Sequence, residues 1–215
     1  MHIVGIDLSG PKNKSDTYVV VLQGENSILE INKIIPGAND KDILNCIKEL
    51  LIESDTVIGI DAPLSYNIDG GDRPSDKELR KKVIALGLHP GSIMPPTMTK
   101  MVYLTLRGIS VARCLLSIQT EFTLNLLEVH PGSSLALHGA PVDAICRFKN
   151  EIAARYQLLD WLELQGLHGV KSVSDPEDHY VAACAAAFAA WKWKMGEYAW
   201  IYPAEPPFSP FDFVC

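Results

Sequence analysis

The sequence lacks long apolar runs and any excess of basic residues. No stretch of its 215 residues approaches the roughly 18 consecutive apolar residues that a membrane-spanning helix needs, so no membrane partner is expected. The first expected strand begins at His2, which leaves no room for a charged leader and an apolar signal core, and we therefore expect a cytoplasmic protein. A formal net charge of -7 counts against strong, nonspecific binding of nucleic acid.

Paired cysteines are also missing. The five cysteines are odd in number, widely scattered and free of any C-x-x-C spacing, which argues against a disulfide framework and against a structural zinc site. Hydrophobic residues make up 47% and charged residues 21% of the chain, as is typical of a globular protein. This length supports one substantial core, so we expect a single domain over residues 1–215.

What the sequence does contain is a short phrase that occurs twice, IVGID at residues 3–7 and VIGID at residues 57–61. An apolar run of β-branched residues broken only by glycine predicts a strand that is buried on both faces of a parallel or mixed sheet. Asp7 and Asp61 would then lie where these strands end. Two such ends side by side would aim two carboxylates into one cleft, an arrangement that binds a divalent metal such as Mg2+.

The chain around this repeat predicts an α/β fold. An antiparallel meander is expected from residues 2–8, 17–22 and 28–35, with turns at residues 12–13 and 24–26. A helix after Asp40, followed by the second phrase, makes a crossover that places the later strand parallel to one already in the sheet.

The rest of the chain is expected to be mainly helical. A helix with its N-cap at Ser75 or Asp76 should run to about Leu86, and a loop rich in proline and glycine should follow at residues 90–99. Further helices are expected at residues 101–118, 143–164 and 176–195, with a strand at residues 124–129 and an extended strap after residue 202. The alanine-rich middle of the last helix should pack closely against the sheet.

Further carboxylates are expected near the same edge. Glu128 closes the strand at residues 124–129, and Asp175 and Asp178 are spaced i, i+3 at the start of the last helix, so both can point the same way. Oxygen ligands of this kind suit hard cations. Two metals about 3.5 to 4 Å apart could polarise a phosphodiester, deprotonate the attacking water and stabilise the departing oxygen. For Asp175 the alternative role is the N-cap of the helix.

Five short phrases follow one another along the chain. They are GIDLS at residues 5–9, GIDAPLS at 59–65, RPSD at 73–76 together with Arg80, EVHP at 128–131 and DPED at 175–178. In this order they resemble a domain-of-unknown-function family described as predicted nucleases with a ribonuclease H fold. More distantly, the pattern resembles the Holliday-junction resolvases of the ribonuclease H-like superfamily. The likeness spans residues 3 to about 193.

The resemblance implies both a fold and a set of site residues. The fold would be a ribonuclease H-like mixed sheet, an antiparallel meander plus parallel strands flanked by helices, with a mainly helical basic insertion at about residues 66–118. The residues implied to bind Mg2+ or Mn2+ and to carry catalysis are Asp7, Asp61, Glu128 and Asp178. A second acid is often expected one turn further into the last helix, where this chain has Val181 and Ala182. Either Asp175 substitutes for it or only one metal is held tightly.

Basic residues are concentrated between Arg73 and Arg113, where eight stand against two acidic ones. This segment either attracts a nucleic-acid phosphate to the site or forms a solvated helical face. The residues that could bind a substrate phosphate are Arg73, Asp76, Arg80 and Lys149, with Asp76 orienting an arginine. The alternative for the first three is an i, i+4 surface pair, and for Lys149 a solvated helix face.

Two histidines and two serines lie near these phrases. His130 should share a strand face with Glu128 and is either a general base or a structural hydrogen-bond partner. His179 follows Asp178 on the helix and is expected to point away from the site. Ser9 and Ser65 lack the setting of a nucleophile elbow, and no Walker loop is present, so neither serine hydrolysis nor P-loop chemistry is supported.

These features predict Mg2+- or Mn2+-dependent hydrolysis of phosphodiester bonds in a structured or branched nucleic acid, either DNA or RNA. One alternative is an ATP-dependent phosphotransferase of the actin and sugar-kinase type, although 215 residues are few for its two halves. Another is a noncatalytic regulatory protein that retains the fold, which the missing second helix acid and the acidic net charge favour. The sequence does not decide between a monomer and a homodimer.

Overall fold

The computed structural model describes residues 1–10, 13–25 and 28–215, so Lys12 and Asn26 of the two expected turns lie outside the described residues. The described strands are β1 (His2–Asp7), β2 (Tyr18–Glu25), β3 (Ile28–Pro36), β4 (Thr56–Asp61), β5 (Leu124–Val129), β6 (Leu167–His168), β7 (Ile201–Tyr202) and β8 (Phe213–Val214). The described α-helices are α1 (Asp40–Leu50), α2 (Pro74–Ala85), α3 (Val102–Leu116), α4 (Pro131–Leu137), α5 (Val142–Arg147), α6 (Ile152–Leu164) and α7 (Asp178–Met195). None of these helices combines the length and the apolar character needed to cross a membrane.

The strands form one mixed sheet in the order β6-β3-β2-β1-β4-β5-β8-β7. Antiparallel pairing joins β1, β2 and β3, whereas β4 lies parallel to β1 and β5 lies parallel to β4. The expected meander and the parallel crossover through α1 are therefore confirmed. The predicted fold class is confirmed as well, since a mixed sheet flanked by helices is consistent with a ribonuclease H-like α/β fold.

The sheet separates two apolar layers because successive strand residues point to opposite faces. Ile3 and Val57 pack on one face with α7 and α6. Ile6 and Ile60 pack on the other face with α1 and α3. The strands are thus buried on both faces, which is why they read as continuous apolar runs.

The glycines of the repeated phrase allow α7 to lie directly on the sheet. A Cβ atom added to Gly5 would lie 1.9 Å from the carbonyl oxygen of Ala183, and one added to Gly59 would lie 2.4 Å from that of Ala186. Any side chain at these two strand positions would therefore clash with the helix backbone. The expected close packing of the alanine-rich helix is confirmed, and it fixes the first turn of α7 over the ends of β1 and β4.

The mainly helical segment at residues 66–118 straddles the sheet edge at which β1, β4 and β5 end. Leu79 of α2 belongs to the apolar layer on the α7 face, whereas Ala112 of α3 belongs to the opposite layer. The connection between the two helices must therefore cross that edge of the sheet. It carries a 3-10 turn at Pro90–Ser92.

Several expected boundaries are wrong, each for a local reason. The helix expected to be capped by Ser75 or Asp76 begins at Pro74, because the Asp76 carboxylate accepts the backbone N–H of the N-cap residue Arg73. The last helix begins at Asp178 with Glu177 as its N-cap, so Asp175 is not the cap. The extended tail expected after residue 202 is joined to the sheet, because β8 pairs with both β5 and β7.

The helix expected over residues 143–164 is in fact two helices, α5 and α6. Arg155 stabilises the break between them, since its side chain donates to the carbonyl of Phe148 at 2.6 Å and to that of Lys149 at 2.9 Å. These bonds satisfy carbonyl groups that the interrupted helix leaves unpaired. The short helix α4 was not predicted at all.

Candidate active site

A cavity of about 620 Å³ lies where β1, β4 and β5 end. Its walls include the connection between α2 and α3, with Ile93 and Met101, and the first turn of α7. The four carboxylates that the sequence predicts as metal ligands all line it, namely Asp7, Asp61, Glu128 and Asp178. Asp175 is not among the lining residues.

Asp7 and Asp61 form a carboxylate pair at the centre of this site. They are register partners in the parallel pairing of β1 with β4, so both side chains lie on the α7 face. Burial, reinforced by the charge of Asp7, raises the pKa of Asp61 from 3.8 to about 8. Burial also raises the pKa of Asp7, against the opposing effect of His179. Among the described residues no lysine or arginine forms a salt bridge with either carboxylate.

His179 is part of the site, and the expectation that it points away is wrong. Its Nδ1 lies 2.7 Å from Asp7 Oδ2, and its Nε2 lies 3.6 Å from Asp16 Oδ2 and 4.0 Å from Asp178 Oδ1. The hydrogen bond to Asp7 raises the pKa of His179 to about 8, so the ring carries a proton on each nitrogen at neutral pH. Successive residues of α7 both reach the cavity because the helix presents its first turn, rather than one side, to the strand ends.

Glu128 lines the same cavity but lies on the other face of the sheet. Its register partner is Ile60, one residue before Asp61, and the strand pleat sends these two positions to opposite faces. Glu128 Oε2 accepts from Arg73 Nη1 at 2.8 Å and from the backbone N–H of Leu64 at 2.8 Å, while Oε1 accepts from Arg73 Nη2 at 2.5 Å. The structure therefore joins Glu128 to Arg73 and not to the Asp7 and Asp61 pair.

Arg73 is buried and makes all its polar contacts inside the protein. Its Nε donates to Asp76 Oδ2 at 3.1 Å, its Nη2 donates to Asp76 Oδ1 at 2.8 Å, and its Nη1 donates to Ser65 Oγ at 3.0 Å. Burial alone would lower the pKa of the Arg73 guanidinium, but Glu128 and Asp76 raise that pKa by more than burial lowers it. The guanidinium therefore stays charged. The five N–H donors that were expected to clamp a phosphate are thus engaged by protein acceptors.

The other expected phosphate contacts divide between two environments. Arg80 donates to both carboxylate oxygens of Asp72, each at 2.7 Å, and does not line the cavity. Lys149 is exposed and does line it. Of the eight basic residues between Arg73 and Arg113, all within the described range, only Arg73 lines the cavity. Five of these eight residues are exposed, so most of the basic segment matches the solvated-face alternative rather than a set of phosphate contacts.

His130 occupies a structural position. Its Nδ1 accepts the backbone N–H of Ser133 at 3.1 Å, which makes it the N-cap residue of α4. Its Nε2 lies 2.9 Å from the carbonyl oxygen of Ser92, so the proton resides on Nε2. Burial lowers the pKa of His130 and keeps the ring neutral. The contacts match the structural alternative, since they tie the end of β5 to the connection that crosses the cavity.

The carboxylates of this site are better suited to a small cation held by one or two protein ligands than to a metal ion enclosed by many. No group of three or more His, Cys, Asp or Glu side chains within the described ranges is arranged to hold a metal ion. Mg2+, however, is commonly held through one or two carboxylates, with water and substrate phosphate completing its coordination. The Asp7 and Asp61 pair fits this requirement, because a cation would offset both the burial and the charge of Asp7 that raise the pKa of Asp61.

Comparison with known proteins identifies a family without assigning an activity. No curated protein and no solved structure matches the chain. One family model matches residues 5–206, a range that includes the Gly-Ile-Asp end of both copies of the repeated phrase and every candidate site residue. The chain therefore belongs to the family described as "Protein of unknown function (DUF429)".

Proposed function

We propose that this protein is a Mg2+- or Mn2+-dependent hydrolase of phosphodiester bonds in nucleic acid. The proposal depends on one observation above all, the close pair of buried Asp7 and half-buried Asp61, with which no lysine or arginine in the described residues forms a salt bridge. Such a pair at the ends of adjacent strands is costly unless it binds a cation or keeps a proton. A divalent cation bound there would polarise the phosphodiester and lower the pKa of the attacking water.

The side chains around the pair have separate tasks in this proposal. Asp7 and Asp61 bind the cation, and Asp178 adds a third negative charge at the edge of the cavity. Lys149 contacts the substrate phosphate, because it is the exposed lysine of the cavity wall. His179 donates a proton from Nε2 to the leaving oxygen, since Asp7 holds the ring through Nδ1 and Nε2 makes no hydrogen bond at 3.6 Å from Asp16.

The shape and charge of the cavity favour a narrow substrate over the branched nucleic acid expected from the sequence. A volume of about 620 Å³ is in the range of sites that enclose one small ligand. Its wall contains many acidic groups and few cations, so a duplex backbone would find little to bind. Met94, Met101 and Phe148 line part of it and offer apolar contacts to a base. We therefore propose a single-stranded end or one extruded nucleotide as the species that enters.

A cleavage assay with matched substrates tests the proposal. Single-stranded, duplex and four-way junction DNA and RNA would be incubated with the protein in Mg2+, in Mn2+ and in EDTA. We expect metal-dependent cleavage that is fastest on single strands, and Asp61→Asn should lower its rate at least about 100-fold. Asp160→Asn, a surface change on α6, is the control and should leave the rate unchanged.

Two results would count against the proposal. A protein that cleaves none of these substrates with either metal, while its fold is intact, is not the hydrolase described here. Hydrolysis of ATP or transfer of its phosphate in place of strand cleavage would instead support the phosphotransferase alternative.

A further inference from the structure

The site holds a cation of its own, the guanidinium of Arg73, against one of the four expected metal ligands. We propose that Arg73 neutralises Glu128 permanently, so that the site binds one divalent cation, at Asp7 and Asp61, rather than two. The inference rests on the proposed function, because it concerns the same metal site, but it is tested without any cleavage reaction.

The first step is the separation of the carboxylates by the sheet itself. Asp7 and Asp61 share a face because β1 and β4 are paired in register through the whole repeated phrase. Glu128 pairs with Ile60, so the pleat directs it away from the face of Asp7 and Asp61, and its carboxylate contacts Arg73. Two metals that share ligands must lie about 3.5 to 4 Å apart, which requires carboxylates that converge on one point. The pleat opposes such convergence.

The second step is the saturation of Glu128. Both of its oxygens accept from Arg73 in a forked pair, at 2.8 Å and 2.5 Å, and Oε2 also accepts the backbone N–H of Leu64. The Glu128 residue is 4% exposed. Forked arginine pairs with carboxylates are among the stronger polar contacts in proteins, and this one is shielded from water. A second cation could reach Glu128 only by displacing the guanidinium.

The third step is that Arg73 is held in place by more than Glu128. Asp76 fixes it twice, through the side chain and through the backbone N–H that caps α2. Ser65 accepts from Nη1, and the guanidinium carbon lies 5.4 Å from the centre of the Phe213 ring. The Arg73 guanidinium is therefore held in place by the loop after β4 and by the start of α2. It is a positioning residue rather than a group that touches the substrate.

The last helix is consistent with this reading. One turn beyond Asp178, where a second metal would draw on another acid, the chain has the buried residues Val181 and Ala182. Asp175, the other acid that could have substituted, lies outside the cavity wall. Of the two alternatives that the sequence leaves open, tight binding of a single metal is therefore the one that the geometry favours.

Calorimetric titration of the metal-free protein with Mn2+, without nucleic acid, tests the proposal through a matched pair of variants. Asp61→Asn and Glu128→Gln each replace a carboxylate by an amide of the same shape. We expect one Mn2+ per chain in the unchanged protein and in Glu128→Gln, with affinities that agree within about twofold. Asp61→Asn should weaken binding by about tenfold or more, because a lost direct ligand costs at least as much as a lost outer-shell partner.

The outcomes separate this inference from the proposed function. Two bound Mn2+ ions in the unchanged protein, or a loss in Glu128→Gln equal to that in Asp61→Asn, would overturn it, as would the absence of any Mn2+ binding. One bound Mn2+ with no strand cleavage would refute the proposed nuclease activity but would support the one-cation site. Should Glu128→Gln fail to fold, anomalous scattering from Mn2+-soaked crystals of the unchanged protein decides, since a single peak beside Asp61 is expected and a peak on Glu128 is not.

Discussion

Replacing Asp61 by asparagine should stabilise the metal-free protein at neutral pH. In the folded state the pKa of Asp61 is about 8, against 3.8 ordinarily, so between these values the folded chain binds more protons than the unfolded chain. The free energy of unfolding therefore falls as pH rises through this window. About three pH units separate 3.8 from pH 7, at about 1.4 kcal/mol each, which sets an upper limit of about 4 kcal/mol. Because the site is partly hydrated, we expect Asp61→Asn to recover about 2 to 4 kcal/mol.

Urea unfolding in EDTA at several pH values measures this difference directly. The stability of Asp61→Asn relative to the unchanged protein should be largest near pH 7 and should shrink to about 1 kcal/mol or less near pH 4.5. Added Mg2+ should stabilise the unchanged protein more than the variant at the same concentration, because the variant binds it more weakly. Asp160→Asn supplies the control, with a difference that does not vary with pH across this range. A constant difference for Asp61→Asn as well would refute the reasoning, because it would mean that the pair carries no unusual proton.

Three further changes test other parts of the structure. Gly59→Ala should destabilise the protein by about 3 kcal/mol in urea unfolding, since its Cβ would clash with α7, whereas Gly10→Ala, with no atom near, should change stability by less than about 0.5 kcal/mol. His179→Gln should lower the rate of cleavage about 100-fold and remove the decline of rate above pH 8 that loss of the His179 proton would cause. Arg73→Met should cost about 3 to 5 kcal/mol because it leaves the buried carboxylates of Glu128 and Asp76 without a counter-charge, while Arg147→Met on the surface should leave the unfolding midpoint almost unchanged in the same assay.

The central carboxylate pair could be predicted because the sequence encodes it twice in the same way. In both copies of the repeated phrase the aspartate follows the glycine by two residues, so the strand period places each aspartate on the face of its glycine. Pairing the two strands in register then brings Asp7 beside Asp61. No long-range information beyond the crossover was needed for this part of the site.

Glu128 shows where that reasoning stops. It too lies near the end of a strand, but the sequence does not specify that the strand pairs with β4 so as to set Glu128 opposite Ile60. An offset of one residue reverses the face of a side chain. Its partnership with Arg73 depends on the path of the chain between β4 and α2, which local propensity does not determine.

His179 and the break between α5 and α6 were missed for related reasons. Helical periodicity describes which residues share a side of a helix, but at the first turn of α7 the helix end itself faces the cavity, and neighbouring residues can both take part. The break at residues 148–151 is stabilised by Arg155 contacts to backbone carbonyls. The spacing of apolar residues along the chain does not indicate a contact between a side chain and a backbone carbonyl.

The glycine and the aspartate of the repeated phrase therefore act together. Gly5 and Gly59 let the backbone of α7 touch the sheet, and this close approach brings His179 within 2.7 Å of Asp7. A larger residue at either glycine would lift the helix and lengthen that hydrogen bond, and the pKa of His179 would return toward 6.5. The same few residues thus set the packing of α7 on the sheet and the protonation of His179 at the sheet edge. A substitution that disrupts the contact between α7 and these glycines should therefore alter the pH dependence of the site as well as the stability of the fold.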